Sequence, residues 1–227
     1  SYPSQMLLII FILTIHGLIV GKWSRGFKHL NKTIHNSFEP LTVIVACKNE
    51  EHNLPNLLSS LKSQTQKPFE IIVVDDHSSD LTKEIASEFT VINNSGFGKK
   101  DAIRTGIGLC KTKWAITTDA DVTVPSSWIE SMSSAASNTS GLALIGPVKI
   151  TPILNSVFSG VECLDYAALM GWTASTAIEG NAAMGSAANF AIKVRDYPNE
   201  DQIKSKIASG DDVFAIHSLV DLGKKVF

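Results

Sequence analysis

Short apolar runs alternate with amphipathic segments along most of the chain. The runs at 41–47, "LTVIVAC", and at 69–75 are rich in β-branched residues and are followed at once by polar clusters. Such runs are typical of strands covered on both faces, and strands of that kind belong mostly to parallel sheets. Between them, residues 53–64 carry leucines at the spacing of a helix face. The pattern therefore begins as strand, helix, strand.

The alternation continues to the end of the chain and predicts a fold class. Strand and helix segments following each other at this spacing imply right-handed crossovers and a mostly parallel sheet flanked by helices, which is an α/β fold. The predicted strands are 41–47, 69–75, 90–93, 113–119, 141–150 and 187–194, and the predicted helices are 53–64, 80–88, 99–110, 125–135, 155–170 and 211–222.

The N-terminal segment departs from this pattern. Residues 6–20, "MLLIIFILTIHGLIV", are nearly all apolar, and a basic, aromatic stretch follows them. The segment is shorter than the roughly 20 residues that span a bilayer, so a signal-peptide core or a buried helix is also open. We expect a membrane-type helix within residues 1–30, a polar linker at 31–40 and a globular domain at 41–227. The basic flank places that domain on the cytoplasmic side of the inner or plasma membrane.

Composition narrows the class of protein. The chain has 227 residues, 44% of them hydrophobic, and a formal net charge of −2. These values suit one sizeable globular domain and argue against disorder. The near-neutral charge gives no signature of a nucleic-acid partner. Three widely spaced cysteines match no metal-ligand spacing and favour free thiols in a reducing compartment.

Four acidic or polar clusters fall where predicted strands end or helices begin. In open α/β sheets the carboxyl ends of the strands are where ligands bind. Each cluster alone also has a plain explanation as a helix cap or solvated turn. The clusters are 46–53 ("ACKNEEHN"), Asp75 with Asp76, Asp119 with Asp121, and Asp211 with Asp212.

The Asp119 and Asp121 pair suggests a cation site. Two-residue spacing in an extended chain puts both carboxylates on one face, where they could hold a hard divalent cation with positions left open for phosphate oxygens. About one Asp-x-Asp is expected by chance in such a chain. Only the location of the pair at a strand end can therefore distinguish a cation site from a chance occurrence.

A glycine-rich basic segment lies between the second and third clusters. In "GFGKKDAIRTGIG", residues 96–108, glycines precede Lys99, Lys100 and Arg104 at a predicted helix start. Backbone N–H groups and mobile positive charge at that position suit an anionic group, although a solvated basic helix face also explains them. Neither the Walker nor the Rossmann glycine pattern occurs in the chain.

The order of these segments resembles the family 2 glycosyltransferases of the GT-A (Rossmann-like) fold, especially membrane-associated members. The resemblance covers about residues 40–222 and rests on six ordered segments, which are far more specific together than any one of them. The segments are "KNEEHNL", "VVDDHSSD", "GKKDAIRTGI", "TDAD", "GSAANFAIKV" and "SGDDVF".

The resemblance implies an inverting, metal-dependent hexosyltransferase of polysaccharide biosynthesis. Its donor is a nucleoside-diphosphate sugar, with uridine diphosphate the expected nucleotide, and its acceptor is a saccharide or is lipid-linked. Asp76 contacts the nucleotide base, Asp121 with Asp119 holds Mg²⁺ or Mn²⁺, and Asp212 or its neighbour Asp211 supplies the catalytic base. The other donor-binding residues it implies are Cys47, Asn49, Glu50, Lys99, Asp119 and Ala120.

Two further expectations follow from the comparison of motifs. Membrane-associated members carry a Q-x-x-R-W segment after the acidic helix, and this chain ends at Phe227 before any such segment, so we expect it to be truncated there. Two other functions stay open, a non-catalytic nucleotide-sugar binding domain and a sugar-phosphate nucleotidyltransferase. The latter usually has a glycine-rich basic signature after the first strand, where this chain is acidic.

Overall fold

The structure is a computed structural model. It describes residues 37–152, 156–178, 184–198 and 225–227 continuously. Single positions are described at 6, 7, 10, 11, 14, 15, 17, 18, 21, 182, 216 and 220.

Within the described residues, six strands form one mixed sheet in the order β3-β2-β1-β4-β6-β5. Strands β1 to β4 pair in parallel, whereas β6 is antiparallel to both of its neighbours. The strands are β1 (Leu41–Cys47), β2 (Glu70–Asp75), β3 (Thr90–Asn93), β4 (Trp114–Asp119), β5 (Ala143–Ile145) and β6 (Phe190–Lys193). The predicted α/β class with a mostly parallel sheet is confirmed.

Helices connect these strands and cover both faces of the sheet. The continuously described helices are α1 (Leu54–Lys62), α2 (Thr82–Ile85), α3 (Gly98–Leu109), α4 (Trp128–Asn138) and α5 (Val157–Ile178). Two short 3₁₀ helices flank β6, at Ala187–Asn189 and Val194–Asp196.

Alternate residues of β1 serve two separate cores. Val43 and Val45 pack with the buried leucines of α1 and with Trp128 of α4 on one face. Ile44 points to the other face, where it packs with α3. Since successive side chains of a strand point to opposite faces, an unbroken apolar run is what a sheet covered on both sides requires.

Several predicted boundaries were wrong, mostly in the second half of the chain. The strand predicted at 141–150 is only three residues long, and the strand predicted at 187–194 opens as a 3₁₀ helix. The helix predicted at 155–170 continues to Ile178, and the helix predicted at 80–88 is a single turn. A short apolar run does not by itself distinguish strand, turn and helix, so packing against neighbours decides these ends.

Two predicted helices lie largely outside the described residues. For the helix at 211–222, only Ile216 and Val220 are described; both are helical, and Ile216 is fully buried in the same core as Ile44. The apolar helix expected at 6–20 is described only at separate positions, which are helical. Among the described parts of the chain, we find no helix with the length and apolar character needed to cross a bilayer.

Helix α3 lies unusually close to the sheet at Gly106. A Cβ atom added there would come within 2.7 Å of Ile44 Cγ2 and 3.2 Å of Val74 Cγ2. Both methyl groups belong to β-branched residues in central strands and have little room to move. Close packing at this point sets the distance between α3 and the sheet.

Gly106 and Gly108 form a matched pair for testing this contact. We expect Gly106→Ala to destabilise the protein by about 1–3 kcal/mol, because overpacking outweighs the better helix propensity of alanine. Gly108 is on the same helix with open space at its Cβ position, so Gly108→Ala should stabilise it by up to about 1 kcal/mol. Urea unfolding measures both, and a stabilised Gly106→Ala variant would contradict the packing account.

Candidate functional site

The register of the parallel strands brings three of the acidic clusters to one edge. Cys47 pairs with Asp75 at the ends of β1 and β2, and Ala46 pairs with Asp119 at the end of β4. A cavity of about 370 Å³ lies at this edge. The predicted site residues that line it are Cys47, Glu50, Asp76, Lys99, Asp119, Ala120 and Asp121. We call this cavity the donor cleft, because the sequence predicts that its residues bind the sugar donor.

Asp76 is buried at the end of β2 and is the most heavily hydrogen-bonded acid of the donor cleft. The Gly98 N–H donates to both of its carboxylate oxygens at 3.0 Å, and Asn94 Nδ2 donates to Oδ1 at 2.6 Å. The Lys48 ammonium lies 3.6 Å from Oδ2. These contacts tie the loop before α3 to the end of β2 and so fix where α3 begins.

These contacts also decide the ionisation of Asp76. Burial favours the neutral form, but the hydrogen bonds from Asn94 and Gly98, aided by the charge of Lys48, outweigh it and lower the pKa of Asp76 below its ordinary value. Asp76 is therefore a carboxylate at neutral pH.

Asp75 holds the turn that follows β2. Its carboxylate accepts a hydrogen bond from the Ser78 N–H at 3.2 Å and pairs with the Lys83 ammonium at 3.2 Å. It does not line the donor cleft. The two adjacent acids therefore have different positions: Asp75 stabilises the turn, and Asp76 lines the cleft.

Two residues in the left-handed backbone region bend the chain at the ends of β1 and β2. They are Asn49, with φ of 56°, and His77, with φ of 59°. Asn49 Oδ1 accepts from the Ser79 N–H at 2.9 Å, so the two loops are joined directly. Non-glycine residues with positive φ are uncommon, and they persist where surrounding contacts determine them. Asn49, predicted to bind the donor, does not line the cleft, and its amide oxygen serves this junction.

A second contact holds the loop on the other side of Asp76. His77 Nε2 donates to the Gly96 carbonyl at 2.9 Å, and its ring stacks on Phe97 at 4.7 Å between centroids. Phe97 is 78% exposed. The stacked pair thus covers the outside of the loop that carries Gly98.

Lys99 and Asp119 face each other across the donor cleft, with the ammonium 2.6 Å from Asp119 Oδ1. Lys99 is in the first turn of α3, and Asp119 is the last residue of β4. The Asp119 carboxylate is therefore already paired with a positive charge at the position predicted for a metal cation. Lys99 lines the cleft, and its predicted role in binding the donor stays a prediction.

The geometry assumed for Asp119 and Asp121 was wrong. Strand β4 ends at Asp119, and Ala120 and Asp121 form a turn closed by the Val122 N–H and the Asp119 carbonyl at 3.3 Å. Both acids nevertheless line the donor cleft, and Asp121 is exposed. The part of the chain that the structure describes contains no group of three or more His, Cys, Asp or Glu side chains placed to hold a metal ion.

The two carboxylates nevertheless suit a hard divalent cation that is coordinated partly by the protein and partly by a substrate. Mg²⁺ typically takes one or two protein carboxylates and completes its coordination with water and substrate phosphates. Asp119 and Asp121 provide two carboxylates at one wall of the cleft, and the cationic Lys99 ammonium already contacts the first.

Cys47 and Glu50 line the cleft at the end of β1. Burial, reinforced by the nearby acids beginning with Glu50, raises the pKa of the Cys47 thiol to about 12, so it is protonated and is not a nucleophile. Glu50 Oε2 accepts from Asn53 Nδ2 at 2.9 Å, and the Glu50 N–H donates to Thr82 Oγ1 at 2.8 Å. Glu50 therefore also fixes the start of α1 against the loop after β2.

Three residues that matter at this edge were missed by sequence reasoning. Lys48 lines the cleft, Asn94 holds Asp76, and Asn189 connects distant segments. Asn189 Oδ1 accepts from Trp128 Nε1 at 2.9 Å, and its Nδ2 donates to the Pro147 carbonyl at 3.0 Å. Lys48 and Asn94 follow strand ends, which was the available signal; the partners of Asn189 are 40 or more residues away in sequence.

The predicted catalytic pair, Asp211 and Asp212, lies outside the described residues. Its role stays a prediction.

The chain resembles known proteins along much of its length. The sequence profile of the family described as "Glycosyl transferase family 2" matches residues 42–155. The poly-beta-1,6-N-acetyl-D-glucosamine synthase of Staphylococcus epidermidis is 29% identical over 181 residues, which cover 75% of this chain and 43% of that protein. The chain therefore spans less than half the length of the curated relatives it matches.

Solved structures share the fold. The mannosyltransferase PcManGT from Pyrobaculum calidifontis, in complex with GDP-Man and Mn²⁺, has a TM-score of 0.64 and 17% identity, over 96% of this chain and 64% of the other. S. aureus TarS in complex with UDP-GlcNAc has a TM-score of 0.55 and 16% identity, over 79% of this chain and 52% of the other. At these identities the likeness concerns the fold alone.

Removing the Asp76 carboxylate should cost stability in a pH-dependent way. We expect Asp76→Ala to lower the free energy of unfolding at pH 7 by about 2–4 kcal/mol, because two buried donors lose their acceptor. In the folded protein the pKa of Asp76 lies below the ordinary value of 3.8 for an aspartate. This contribution is therefore complete above about pH 3.8 and declines as the pH falls through the lower folded pKa.

Urea unfolding of both proteins between pH 7 and pH 2.5 measures this difference. The gap between wild type and Asp76→Ala should narrow below pH 3.8. Asp121→Ala is the matched control, since its exposed carboxylate should change stability by less than about 0.5 kcal/mol. A gap that stays constant down to pH 2.5 would show that the charge of Asp76 is not what stabilises the loop.

Proposed function

The chain belongs to glycosyl transferase family 2, and we propose that it transfers a sugar from a nucleoside-diphosphate sugar to a saccharide or lipid-linked acceptor. The observation that carries this proposal is the donor cleft. It gathers Asp76, Lys99, Asp119 and Asp121 from three separate elements at the carboxyl edge of one sheet. A family with this activity needs such a place for a nucleotide and its two phosphates.

The reaction we propose is a single displacement with inversion at the anomeric carbon. The acceptor oxygen forms a bond to that carbon as the bond to the diphosphate oxygen breaks. The bonding electron pair leaves with the nucleoside diphosphate, and the acceptor proton passes to a carboxylate base. Two demands follow, since the departing diphosphate needs compensating positive charge and the acceptor needs a base on the opposite face of the sugar.

For the first demand, we propose Asp121 and Asp119 as the holders of Mg²⁺ or Mn²⁺. A divalent ion bound there supplies electrostatic stabilisation of the charge that develops on the leaving group. Lys99, which contacts Asp119 at the cleft wall, would supply further positive charge to the phosphates. Because Lys99 lies in the first turn of α3, helix N–H groups add their positive potential on the same side.

For the nucleotide, we propose that the base lies beside Asp76 and that uridine diphosphate is the carrier. The proposal is supported by the position of Asp76 in the cleft wall next to Gly98 and Lys48. It is also supported by structural neighbours solved with a nucleotide sugar, one with UDP-GlcNAc and one with GDP-Man and Mn²⁺. Ala120 and Cys47, both buried and small, line the floor between these groups.

For the second demand, we propose Asp212 as the base and Asp211 as the residue that orients its loop. The support is the resemblance of "SGDDVF" to the acidic motif of the family. A positioned base contributes about 10²–10⁴-fold to the rate.

We also propose that residues 6–20 attach the protein to the inner or plasma membrane, with the domain at 41–227 on the cytoplasmic side. At the described positions of this segment, the large apolar side chains are exposed, between 41% and 70%: Met6, Leu7, Ile10, Phe11, Ile15 and Leu18. Transfer of such apolar surface from water into hydrocarbon is favourable.

Loss of one metal-holding carboxylate should weaken donor binding. We expect Asp121→Ala to reduce the Mn²⁺-dependent affinity for UDP-N-acetylglucosamine or GDP-mannose at least about tenfold, or about 1.4 kcal/mol. Isothermal titration of the purified chain with each donor, with and without Mn²⁺, measures it. Asp165→Ala is the control, as an acid removed from the donor cleft. Equal losses in both variants would mean that folding, and not cation binding, was damaged.

Replacing the proposed base should separate binding from turnover. We expect Asp212→Asn to lower the rate of donor hydrolysis or transfer by about 10²–10⁴-fold and to leave donor affinity unchanged, since the amide cannot accept the acceptor proton. Asp211→Asn should lower the rate less.

Steady-state assays with a nucleotide sugar and Mn²⁺, paired with titrations of donor binding, measure both effects. A larger loss of rate in Asp211→Asn than in Asp212→Asn would make Asp211 the base and Asp212 the orienting residue. Donor binding without any turnover in the wild-type chain would favour a binding domain over an enzyme.

A further inference from the structure

A second cavity, of about 440 Å³, lies between α5 and the segment that follows β5. This volume is within the range of about 300–1,000 Å³ that is usual for small-molecule sites. We call it the apolar cavity. None of the residues assigned to the donor cleft lines it.

The lining of the apolar cavity comes from one face of a helix and one short loop. Helix α5 contributes positions separated by three and four residues, namely Cys163, Tyr166, Ala167, Met170, Gly171 and Ala174. Opposite them lie Ile145, the last residue of β5, and Val148 and Ile150 of the loop that follows it. The small residues on the helix make the space, and the branched residues make its wall apolar. A hydrocarbon chain is the ligand that such a lining favours.

The sheet topology places the apolar cavity beside the donor cleft. Strands β4 and β5 both pair antiparallel with β6, so they point in the same direction and end at the same edge. They are two strand spacings apart, which is about 10 Å. The donor cleft lies at the end of β4, and the apolar cavity begins at Ile145, the end of β5.

The 3₁₀ helix at Ala187–Asn189 stands between the two spaces. Thr117 Oγ1 of β4 donates to the Ala187 carbonyl at 2.7 Å, and the Gly146 N–H after β5 donates to the Asn189 carbonyl at 2.8 Å. These bonds hold both cavities in a fixed relation along one edge. The two cavities are therefore neighbours along this edge of the sheet.

The polar groups of the apolar cavity indicate what kind of head group the ligand carries. Lys149 is the only charged side chain in its lining, is exposed, and has no ion-pair partner among the described residues. Thr173, also in the lining, is 1% exposed, and its hydroxyl has no hydrogen-bond partner within the described part of the chain. An amphiphile with an anionic head group satisfies both the apolar wall and the cation.

We propose that the apolar cavity binds the hydrocarbon chain of a single anionic lipid and that this lipid is the acceptor. Its head group pairs with Lys149 at the mouth of the cavity. The assignment as acceptor rests on the proposed transferase function, whereas the binding of the lipid does not.

Dodecyl phosphate below its critical micelle concentration is the probe, so that single molecules and not a membrane surface are tested. Isothermal titration measures its affinity for the whole chain without donor or metal. Ala167→Trp fills the apolar cavity and should weaken binding at least about tenfold. Ala168→Trp is the matched control, because Ala168 is the next residue of α5, is exposed and does not line the cavity. It should bind as the wild type does.

Lys149→Gln should also weaken the binding of dodecyl phosphate. Inorganic phosphate should not compete with dodecyl phosphate for the cavity. Ala174→Phe is a second filling variant, and melting followed by circular dichroism verifies that each variant is folded. Unchanged affinity in both filling variants overturns the proposal, as does equal loss in Ala167→Trp and Ala168→Trp. Binding that arises only with micelles and ignores Ala167→Trp assigns this face to a membrane surface and also overturns it.

The two proposals fail in different ways. If the chain does not turn over nucleotide sugars, dodecyl phosphate binding and its sensitivity to Ala167→Trp are unaffected. If the apolar cavity does not bind lipid, the dependence of donor binding on Asp121 is unaffected.

Discussion

Burial of the Asp76 carboxylate at the end of β2 is the constraint on which the donor cleft depends. An ionised carboxylate in a protein interior is costly unless its oxygens accept hydrogen bonds. Here the donors are the Gly98 N–H at the start of α3 and the Asn94 amide after β3, and the Lys48 ammonium after β1 lies 3.6 Å away as an ion-pair partner. The charge can be buried only if all three segments are in place, so the loops around the cleft are fixed together.

Carboxylates outnumber ammonium groups in the donor cleft, so a bound diphosphate would need additional positive charge. Four carboxylates line the wall of one cleft, against the two ammonium groups of Lys48 and Lys99: those of Glu50, Asp76, Asp119 and Asp121. Both ammonium groups already contact carboxylates, at 3.6 Å and 2.6 Å. In the proposed function, a nucleoside diphosphate would add further negative charge, and a divalent cation held by Asp119 and Asp121 would offset it.

Rigid and open regions alternate along the edge of the sheet. Asn49 and His77 both have positive φ. A hydrogen bond to Ser79 in the loop after β2 holds Asn49, and a hydrogen bond to Gly96 in the loop before α3 holds His77. Farther along, Asn189 ties the 3₁₀ helix beside β6 to α4 and to the loop after β5. The apolar cavity opens just beyond this second fixed point, so both spaces have walls that are set before any ligand arrives.

The sequence by itself determined the class of fold, the central strands and the family. Apolar runs such as 41–47 need cover on both faces, and that requirement is local enough to read from residue order. It also indicated Asp76, Lys99, Asp119 and Asp121, because polar residues at the ends of parallel strands meet at one edge.

Only the tertiary structure decided how these residues interact. The turn at Ala120 replaced the extended chain assumed for Asp119 and Asp121, and the positive φ of Asn49 took its side chain out of the cleft. The reversed direction of β6, the links made by Asn189 and the apolar cavity beside α5 depend on partners far away in the chain. Local periodicity carries no record of such partners, because hydrogen bonds and packing between distant segments form only when the chain is folded.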